Sequence, residues 1–553
     1  TMTNFHWYGK LDLNSLSKEF GSPLWIVGEK QIIHNVSQFA CFTGLPSRIL
    51  FPVKCNPAPA VLEIISNAGC GADCANLQEI NLALLAGIPW SRIAYNSPYQ
   101  DYNTARIVLE NGGILVCDDR LLINYLEENP PKLKGQIWLR INPGLRSGYL
   151  NADENTALMS HGEGSSKFGI PEEEIPQMLE SLKLPVTGIH LHVGTQMDNL
   201  QSFVTAMNAL HRVAEKLIDA GHNVRHLDVG GGLGIAFTEA DDFPHLHQWV
   251  RKMNAIKKAG FEYYAEPGHA LVGNAVGLLV TINTLKPSRG RMWAVCDAGT
   301  DLLAKVTLLK WPHRVLKADG QFLPMKGNDA LAGPLCFAGD TLLHNTDLSG
   351  VKVGDNLLIT HAGAYTHALS NSFNGRTAPS WIVIGDDIKQ TTLAETSFSR
   401  HFMHHHRWRA SENNEAAELS EETIRALLSP YLHKQIQNDS YEVISMRRAG
   451  SHHYKVTVDI QSEAGFVSMP TATRAIGNLC IVAVLHKHGL KSKDRPVMGK
   501  KMQMEYFGFF PTGSTEINIY LSDEIKKEGQ HWSMIATFET NDGSCKGDFV
   551  INA

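Results

Sequence analysis

RILFPVKCN (48–56), GADCAN (71–76), RIAYNSP (92–98), GILVCDD (113–119), QIWLRIN (136–142), GIHLHVG (188–194), HLDVGGG (226–232) and YYAEPGH (263–269) decide the fold. Each is a short apolar run, and helical segments alternate with them. Continuous apolar strands followed by helices imply parallel strands covered on their outer faces. Eight such units in about 230 residues predict a closed (β/α)₈ barrel of the α/β class. An open doubly wound sheet is the other arrangement this pattern allows.

The polar residues favour the barrel. The strands tend to end in Lys54, Asp73, Arg140, His192, Gly230 and Glu266, which lie far apart in sequence. A barrel gathers its strand C-termini on one face, where barrel enzymes build their sites. The long connection 143–187, rich in Gly, Ser and Asn, is expected to lie over that face as a lid or binding loop.

Outward from the barrel the pattern changes. VGLLVTINTL, MWAVCDAG, GDNLLITHAGAY and SWIVIGDD read as strands with turns between them, so residues 276–395 are assigned to an all-β domain. SPLWIV (22–27) is a further strand ahead of the barrel and could extend it, although residues 2–29 as a whole are grouped with the β-domain. The barrel itself takes 30–275. Residues 396–416 suit a linker. Its His401, His404, His405 and His406 invite a metal reading, but without a complete shell a solvated cluster or helix cap is the simpler one, and no metal is expected. From 417 to 553 a third pattern begins. SEETIRALLSPYLHK reads as a helix with a weak capping box at Ser420 and Thr423. MPTATRAIGNLCIVAVLHKHGL (469–490) reads as a long buried helix with Pro470 in its first turn, surrounded in sequence by five or six antiparallel strand candidates. This predicts an α+β layer of hot-dog type.

Composition narrows the function. The chain has 553 residues, 43% hydrophobic and 19% charged, an ordinary globular balance. At about 150 residues per domain it holds three to four domains. Fifty basic and 56 acidic residues leave a net charge of −6, without the basic tract that nucleic-acid binding needs. No apolar run approaches the roughly 18 residues of a membrane span, and the N-terminus lacks a signal-peptide core. Thr1 ahead of Met2 reads as an addition to the natural start. Nine cysteines in irregular spacing do not form a disulfide framework, so a reduced cytoplasm is the expected compartment.

Three stretches carry chemistry. Lys54 ends a buried strand, where desolvation would lower its pKa and favour Schiff-base formation, although a single lysine there is more commonly ion-paired or snorkelling. GGGLG (230–234) follows the seventh strand, where backbone N–H groups can approach an anion. A glycine loop at that point of a barrel is a common phosphate site, though glycine runs are also ordinary turns. Glu266 can accept a hydrogen bond from a pyridinium nitrogen, and His192 can lay its ring along a planar cofactor; either residue could instead be structural.

FPVKCNP, GADCAN, LRINPG, SKFG, HLHVGTQ, DVGGGLG, EPGHALV, CDAGT, GPLCFAGD and GAYTHALSNSFNG occur in this order over residues 20–395. Together they resemble the fold-type III pyridoxal-phosphate decarboxylases, the group of diaminopimelate and ornithine decarboxylases. The resemblance implies an alanine-racemase-like barrel, a β-domain, pyridoxal 5'-phosphate, and a homodimer with shared active sites. It makes Lys54 the Schiff-base lysine, Glu266 the partner of the ring nitrogen and His192 the ring-stacking residue. It gives the phosphate to Thr195, Gly230, Gly231, Gly232 and Tyr365, and places Asp73 and Arg140 around Lys54 and the ring. Cys336 is the residue delivered from the neighbouring subunit to govern reprotonation at Cα.

The departures from this family pattern concern the substrate. The arginine of its EPGR motif is His269 here. Its Arg-Pro and Tyr positions are Lys305, Val306 and Leu309, and its acid after the interface cysteine is Phe337. With Tyr365, Lys305 and Phe337 form the expected substrate pocket, which offers no partner for a distal ammonium. The expected substrate is a small amino acid, free, conjugated or carrier-linked, and no lysine, ornithine or diaminopimelate assignment follows. The C-terminal segments GFVSMPTATRAIGNLCIVAVL and HWSMIATFETNDGSCKGDFVINA resemble the FcoT-like thioesterases. The family's helix asparagines align with Ser468 and Gly477, with Asn478 one step away, and no acid lies between Gly465 and His486. An acyl-binding or dimerising role is expected as readily as hydrolysis. Two further readings accompany the decarboxylase. One is a racemase on the same barrel, which the paired GPLC and GAYT…FNG segments disfavour. The other is a cofactor-binding regulatory protein without turnover, which intact Lys54, His192, Glu266 and Cys336 oppose.

Overall fold

The computed structural model describes residues 7–145, 166–237, 241–395, 440–449, 452–461, 469–487, 498–506, 513–521, 526–528, 531–541 and 545–552. Residues 146–165 of the expected lid lie outside these residues. So do the His401–His406 cluster, the linker, the helix at Ser420 and Ser468. The chain divides into two compact units, Thr1–Arg407 and Trp408–Ala553.

In the first unit β1 is Leu24–Gly28, β2 Leu50–Pro52, β3 Gly71–Cys74, β4 Ile93–Tyr95 and β5 Ile114–Cys117. They are followed by β6 (Gln136–Asn142), β7 (Ile170–Pro171), β8 (Val186–His190), β9 (His226–Asp228) and β10 (Glu262–Tyr264). Strands β2 to β6 and β8 to β10 pair in parallel, in sequence order, and are the eight expected from the apolar runs. The ring closes where Leu50 N donates to Ala265 O at 2.9 Å and Ala265 N to Arg48 O at 3.2 Å.

Local chemistry starts the helices at the strand C-terminal ends. Asn76, Asp101, Asp119 and Asn199 each accept the N–H three residues on, at 2.7–3.0 Å, capping helices Leu77–Leu85, Tyr102–Glu110, Arg120–Glu128 and Leu200–Asp219. Each such cap contributes about 1 kcal/mol and sets where the chain turns back. Trp138 is fully buried and packs edge-on against Tyr264, with ring centres 4.9 Å apart. A Cβ on Gly188 would meet the Trp138 ring at 2.6 Å, which is why the next strand carries glycine beside it. Arg140 lies two residues beyond Trp138, on the same face of β6 but nearer the strand's C-terminal end.

A second, nine-stranded sheet combines β1 with β11 (Val276–Ser288), β12 (Arg291–Cys296), β13 (Val315–Lys317), β14 (Asp329–Ala332), β15 (Thr341–Thr346), β16 (Asn356–Ile359), β17 (Ser380–Ile384) and β18 (Ile388–Thr392). β1 lies between β11, antiparallel, and β17, parallel, so this strand completes the β-domain rather than extending the barrel. Its five residues are all buried. A short helix, Ala304–Leu308, interrupts the β-domain.

Among its described residues the second unit is an antiparallel sheet with one long helix. β19 (Ser440–Arg448), β20 (His453–Gln461), β21 (Met498–Tyr506), β22 (Gly513–Leu521), β23 (Lys526–Glu528), β24 (His531–Thr540) and β25 (Cys545–Asn552) run in the order β19-β20-β22-β24-β25-β21, with β23 on β24. Helix Met469–Lys487 buries Ile476, Leu479, Cys480 and Val484 against Val456, Val458, Ile519 and Phe538. Gly477 is buried with Phe549 beside it, and exposed Asn478 donates to Tyr441 Oη at 2.7 Å. Among the described residues no helix is long and apolar enough to cross a membrane.

Candidate active site

The C-terminal ends of the barrel strands converge as their spacing predicts. Lys54 follows β2 in the turn Val53–Cys55, Asp73 lies in β3, His192 follows β8, the glycines follow β9, and Glu266 follows β10. Lys54, His192, Thr195, Gly232, Glu266 and Tyr365 line one cavity, together with Gly268 and His269.

Lys54 Nζ donates to Asp73 Oδ2 at 3.1 Å. Its side chain is 45% exposed, at the cavity, whereas Asp73 is buried. Desolvation works against the Lys54 charge, but Asp73, Tyr365 and Glu266 together outweigh it and raise its pKa. This corrects the expectation that burial alone would lower it: an ammonium facing two carboxylates is stabilised more than its partial desolvation costs. Burial and the charge of Glu266 push Asp73 up against the pull of Lys54. We read the pair as Lys54 cationic and Asp73 anionic, because two carboxylates act on an amine that is still reached by solvent.

Glu266 is buried, and its Oε2 lies 3.0 Å from His190 Nε2. Burial alone would raise its pKa; His190, Lys54 and Asp228 more than reverse this and keep it ionised. His190 Nε2 is also 3.2 Å from Asn96 Nδ2, and Arg140 donates to Asn96 Oδ1 at 3.1 Å. Arg140 thereby fixes the amide's orientation, so Asn96 Nδ2 and Glu266 compete for His190 Nε2 and only one of these approaches is a hydrogen bond. One nitrogen cannot donate and accept at once, and with Glu266 ionised His190 carries its proton on Nε2. Asp228 takes the Gly230 N–H on Oδ1 at 2.9 Å. Burial and Glu266 push Asp228 well up, so it is the protonated member of the acidic pair. Oxygen and nitrogen atoms of His190, Asp228 and Glu266 lie within 4.8 Å of one another, and no metal need be invoked to hold them. His190, Asp228 and Asn96 were not singled out from sequence. Their only signal was position: His190 two residues before His192, Asp228 just ahead of the glycines, and Asn96 at a strand end.

The glycine loop is dictated by close approach. A Cβ on Gly231 would stand 2.1 Å from Glu266 O, and one on Gly232, at φ +106°, 2.3 Å from Gly194 O. Gly231 N donates to His192 Nδ1 at 3.2 Å, which orients that ring. Tyr365 adopts φ +53°, and its N–H is held by Cys55 O at 2.9 Å. A non-glycine residue in that region costs of order 1 kcal/mol and marks a side chain aimed by its surroundings.

The remaining expected residues lie elsewhere. Arg140 is buried behind the cavity, 3.7 Å from Asp118 and with its guanidinium 4.6 Å above the Phe168 ring. Gly230 and Gly231 form the loop's rear. Lys305 is fully buried, donates to Ala364 O at 2.7 Å and is not among the residues lining the cavity. Cys336 is exposed, its N–H donating to Asn374 Oδ1 at 2.8 Å, and Phe337 is 48% exposed beside Phe373; in its own chain neither lines the cavity.

Whether these residues suit pyridoxal phosphate is tested by one group. Glu266 is buried and ionised, is held by His190 and Asp228, and still lines the cavity. A buried carboxylate at a cavity wall is stabilised by a donor that arrives there, and a protonated pyridine nitrogen is such a donor. A lysine at the cavity and a glycine loop with free backbone approach complete the fit.

A closed parallel barrel of this kind, with a β-domain built from strands that precede and follow it in sequence, is the architecture of the fold-type III pyridoxal-phosphate enzymes. Residues 29–273 match the family described as pyridoxal-dependent decarboxylase, pyridoxal binding domain. Diaminopimelate decarboxylase of Methanothermobacter thermautotrophicus is 29% identical over 406 residues, covering 71% of this chain and 93% of its own. The Bacillus subtilis enzyme is 27% identical over 398 residues, covering 68% and 89%. Among solved structures, diaminopimelate decarboxylase from Helicobacter pylori complexed with L-lysine superposes with TM-score 0.63 at 22% identity, covering 71% of this chain and 99% of that one. Lysine/ornithine decarboxylase from Vibrio vulnificus complexed with putrescine gives TM-score 0.57 at 20% identity, covering 68% and 98%; these two likenesses concern the fold. The chain is thus similar to the fold-type III pyridoxal-phosphate decarboxylases, and to diaminopimelate decarboxylases among them, and its cofactor is pyridoxal 5'-phosphate.

Proposed function

We propose that the protein removes the α-carboxylate of an amino acid or amino-acid conjugate whose distal end is uncharged, acylated or acidic. The observation that carries this reading is the pairing of Lys54 with Asp73 beside ionised Glu266 in one cavity. When bound, pyridoxal phosphate supplies an electron sink for the pair released as the Cα–carboxylate bond breaks. Lys54 Nζ holds the cofactor, and Asp73 takes the proton that the ammonium must lose. Glu266 holds a proton at the ring nitrogen, with His190 and Asp228 fixing the carboxylate. His192 orients the ring, and Thr195, Gly230, Gly231, Gly232 and Tyr365 receive the phosphate.

The exposed positions of Cys336 and Phe337 support a homodimer in which each chain's β-domain completes the other's site, the Cys336 thiol returning the proton to Cα. Phe337 bears on specificity through the absence of an acid for a distal ammonium. We assign residues 417–553, within the second unit, to a hot-dog domain that binds or hydrolyses an acyl or thioester group, and we assign the protein a biosynthetic, secondary-metabolite role in the cytoplasm. The domain's long helix against an antiparallel sheet supports the first assignment. Release of CO₂ from a panel of free and carrier-linked amino acids tests the reading. Turnover of some member is expected, and interconversion of enantiomers without CO₂ would replace decarboxylase by racemase.

A further inference from the structure

The cavity has two electrically different ends. Around Lys54 stand the acids Asp73 and Glu266. Around His269 stand bases. His269 is 3% exposed, lines the cavity, and has Nδ1 3.3 Å from Thr195 Oγ1. Its Nε2 has no hydrogen-bond partner. Lys305 and His313 are the charged or titratable groups acting on it. Both are buried, Lys305 with only the Ala364 carbonyl as hydrogen-bond acceptor, and His313 with Nδ1 2.9 Å from Thr360 O and Nε2 unpartnered. Aromatic rings enclose this end: Lys305 Nζ is 4.4 Å from the Phe237 ring centre and 5.8 Å from that of Trp311. The Phe237 ring lies 5.3 Å from His313 and 6.1 Å from His269. Tyr365, with its ring 5.0 Å from His269, and Cys55 are also titratable, and burial raises the pKa of both so that they stay neutral; His361 is a further base, acting on His313.

Lys305, His269 and His313 lie buried together, with no carboxylate beside them among the described residues, and disfavour one another's charged forms; burial holds both histidines neutral and pulls Lys305 down to about 7. An anion is what this arrangement lacks. We infer that His269 is the protonatable contact for the cofactor's phosphate, and that seating the phosphate against the basic end of His269, Lys305 and His313 draws one proton into the protein. The phosphate dianion arrives, a buffer acid gives up one proton that forms an N–H bond on the imidazole, and no other covalent bond changes. Retention of the cofactor is then tied to pH through a histidine, where a guanidinium would have given a fixed charge. The inference rests on the pyridoxal-phosphate reading above and goes further by naming what recognises the phosphate.

The test compares pyridoxal phosphate with pyridoxal, which lacks the phosphate, as ligands of the full-length apoprotein. Both engage Lys54, so the ratio of their Kd values cancels that contribution. Visible absorbance titrations at pH 7.0 and pH 8.5 keep the phosphate group dianionic throughout. The preference for the phosphorylated form is expected to fall by about tenfold per pH unit, as uptake of one proton requires. His269→Asn should lower the preference at pH 7 and flatten its pH dependence. Calorimetry of the unmodified protein in buffers of different ionisation enthalpy needs no variant. Pyridoxal phosphate should take up about one proton more than pyridoxal at pH 8. A preference constant within twofold, with equal proton uptake for the two ligands, would overturn the inference while leaving the cofactor reading intact. If neither compound binds, both the inference and the cofactor reading fall.

Discussion

Glu266 turns one oxygen to His190 Nε2 at 3.0 Å and lines the cavity with the same carboxylate. A carboxylate is thus anchored at the wall of a cavity that also holds a lysine. Glu266→Gln keeps the shape and removes the charge. We expect the variant to retain cofactor, by absorbance, and to lose roughly 10²-fold in kcat, the scale of losing one preorganised electrostatic contact. Turnover equal to wild type would remove Glu266 from the chemistry.

Lys54 stands 3.1 Å from Asp73 and is 45% exposed. The purified protein should be yellow, and borohydride should fix the cofactor to the chain. In Lys54→Ala covalent fixation should be lost, as mass spectrometry of the treated protein would show. Fixation to another residue in the variant would place the attachment elsewhere.

Cys336 is exposed in a turn held by Asn374. If a second copy supplies it, Lys54→Ala and Cys336→Ala are each inactive alone but complement when mixed. A mixed dimer carries one intact site, so random exchange should restore about a quarter of wild-type turnover per chain. Absence of recovery after exchange has been demonstrated by native mass spectrometry would assign both residues to a site within one chain.

Phe337 is 48% exposed, where the family pattern has an acid. An unpaired buried ammonium costs several kcal/mol, which is orders of magnitude in kcat/KM. N-acylated or acidic amino acids should therefore exceed ornithine, lysine and meso-diaminopimelate by at least about 10²-fold in kcat/KM. Phe337→Glu should narrow that gap. A free diamino acid as best substrate, with Phe337→Glu silent, would show that another carboxylate does this work.

His313 is buried and burial depresses its pKa well below the ordinary value. The folded state then binds fewer protons than the unfolded chain. Its stability is complete above the unfolded pKa of about 6.5 and falls as pH drops below it, by up to about 1.4 kcal/mol per pH unit for one histidine. His313→Gln should be less stable than wild type at pH 8, having weakened the contact to Thr360 O. The difference in Tm should shrink between pH 7 and pH 5.5. A gap that stays constant or widens would mean His313 accepts a proton within the fold.

Much of the site was legible because it depends on local pattern. The eight strands announce themselves as apolar runs, and the residues that end them must share a face once the barrel closes. Asn76, Asp101, Asp119 and Asn199 mark helix starts because a side-chain oxygen three residues ahead satisfies an exposed N–H. The long helix Met469–Lys487 was equally visible from its apolar length.

What the sequence by itself determined, then, is the order of strands and helices and the set of residues at the barrel's mouth, since periodicity and turn chemistry act over a few neighbours. The tertiary structure alone decided the charges and the partners. Lys54 keeps a raised pKa because Asp73 and Glu266, 19 and 212 positions away, sum their fields on it. β1 enters the second sheet because its two neighbours come from Val276–Ser288 and Ser380–Ile384. Lys305, expected at a substrate, is fully buried under Ala364 O. Burial, desolvation and Coulomb interactions are sums over space, and no short stretch of chain contains the terms.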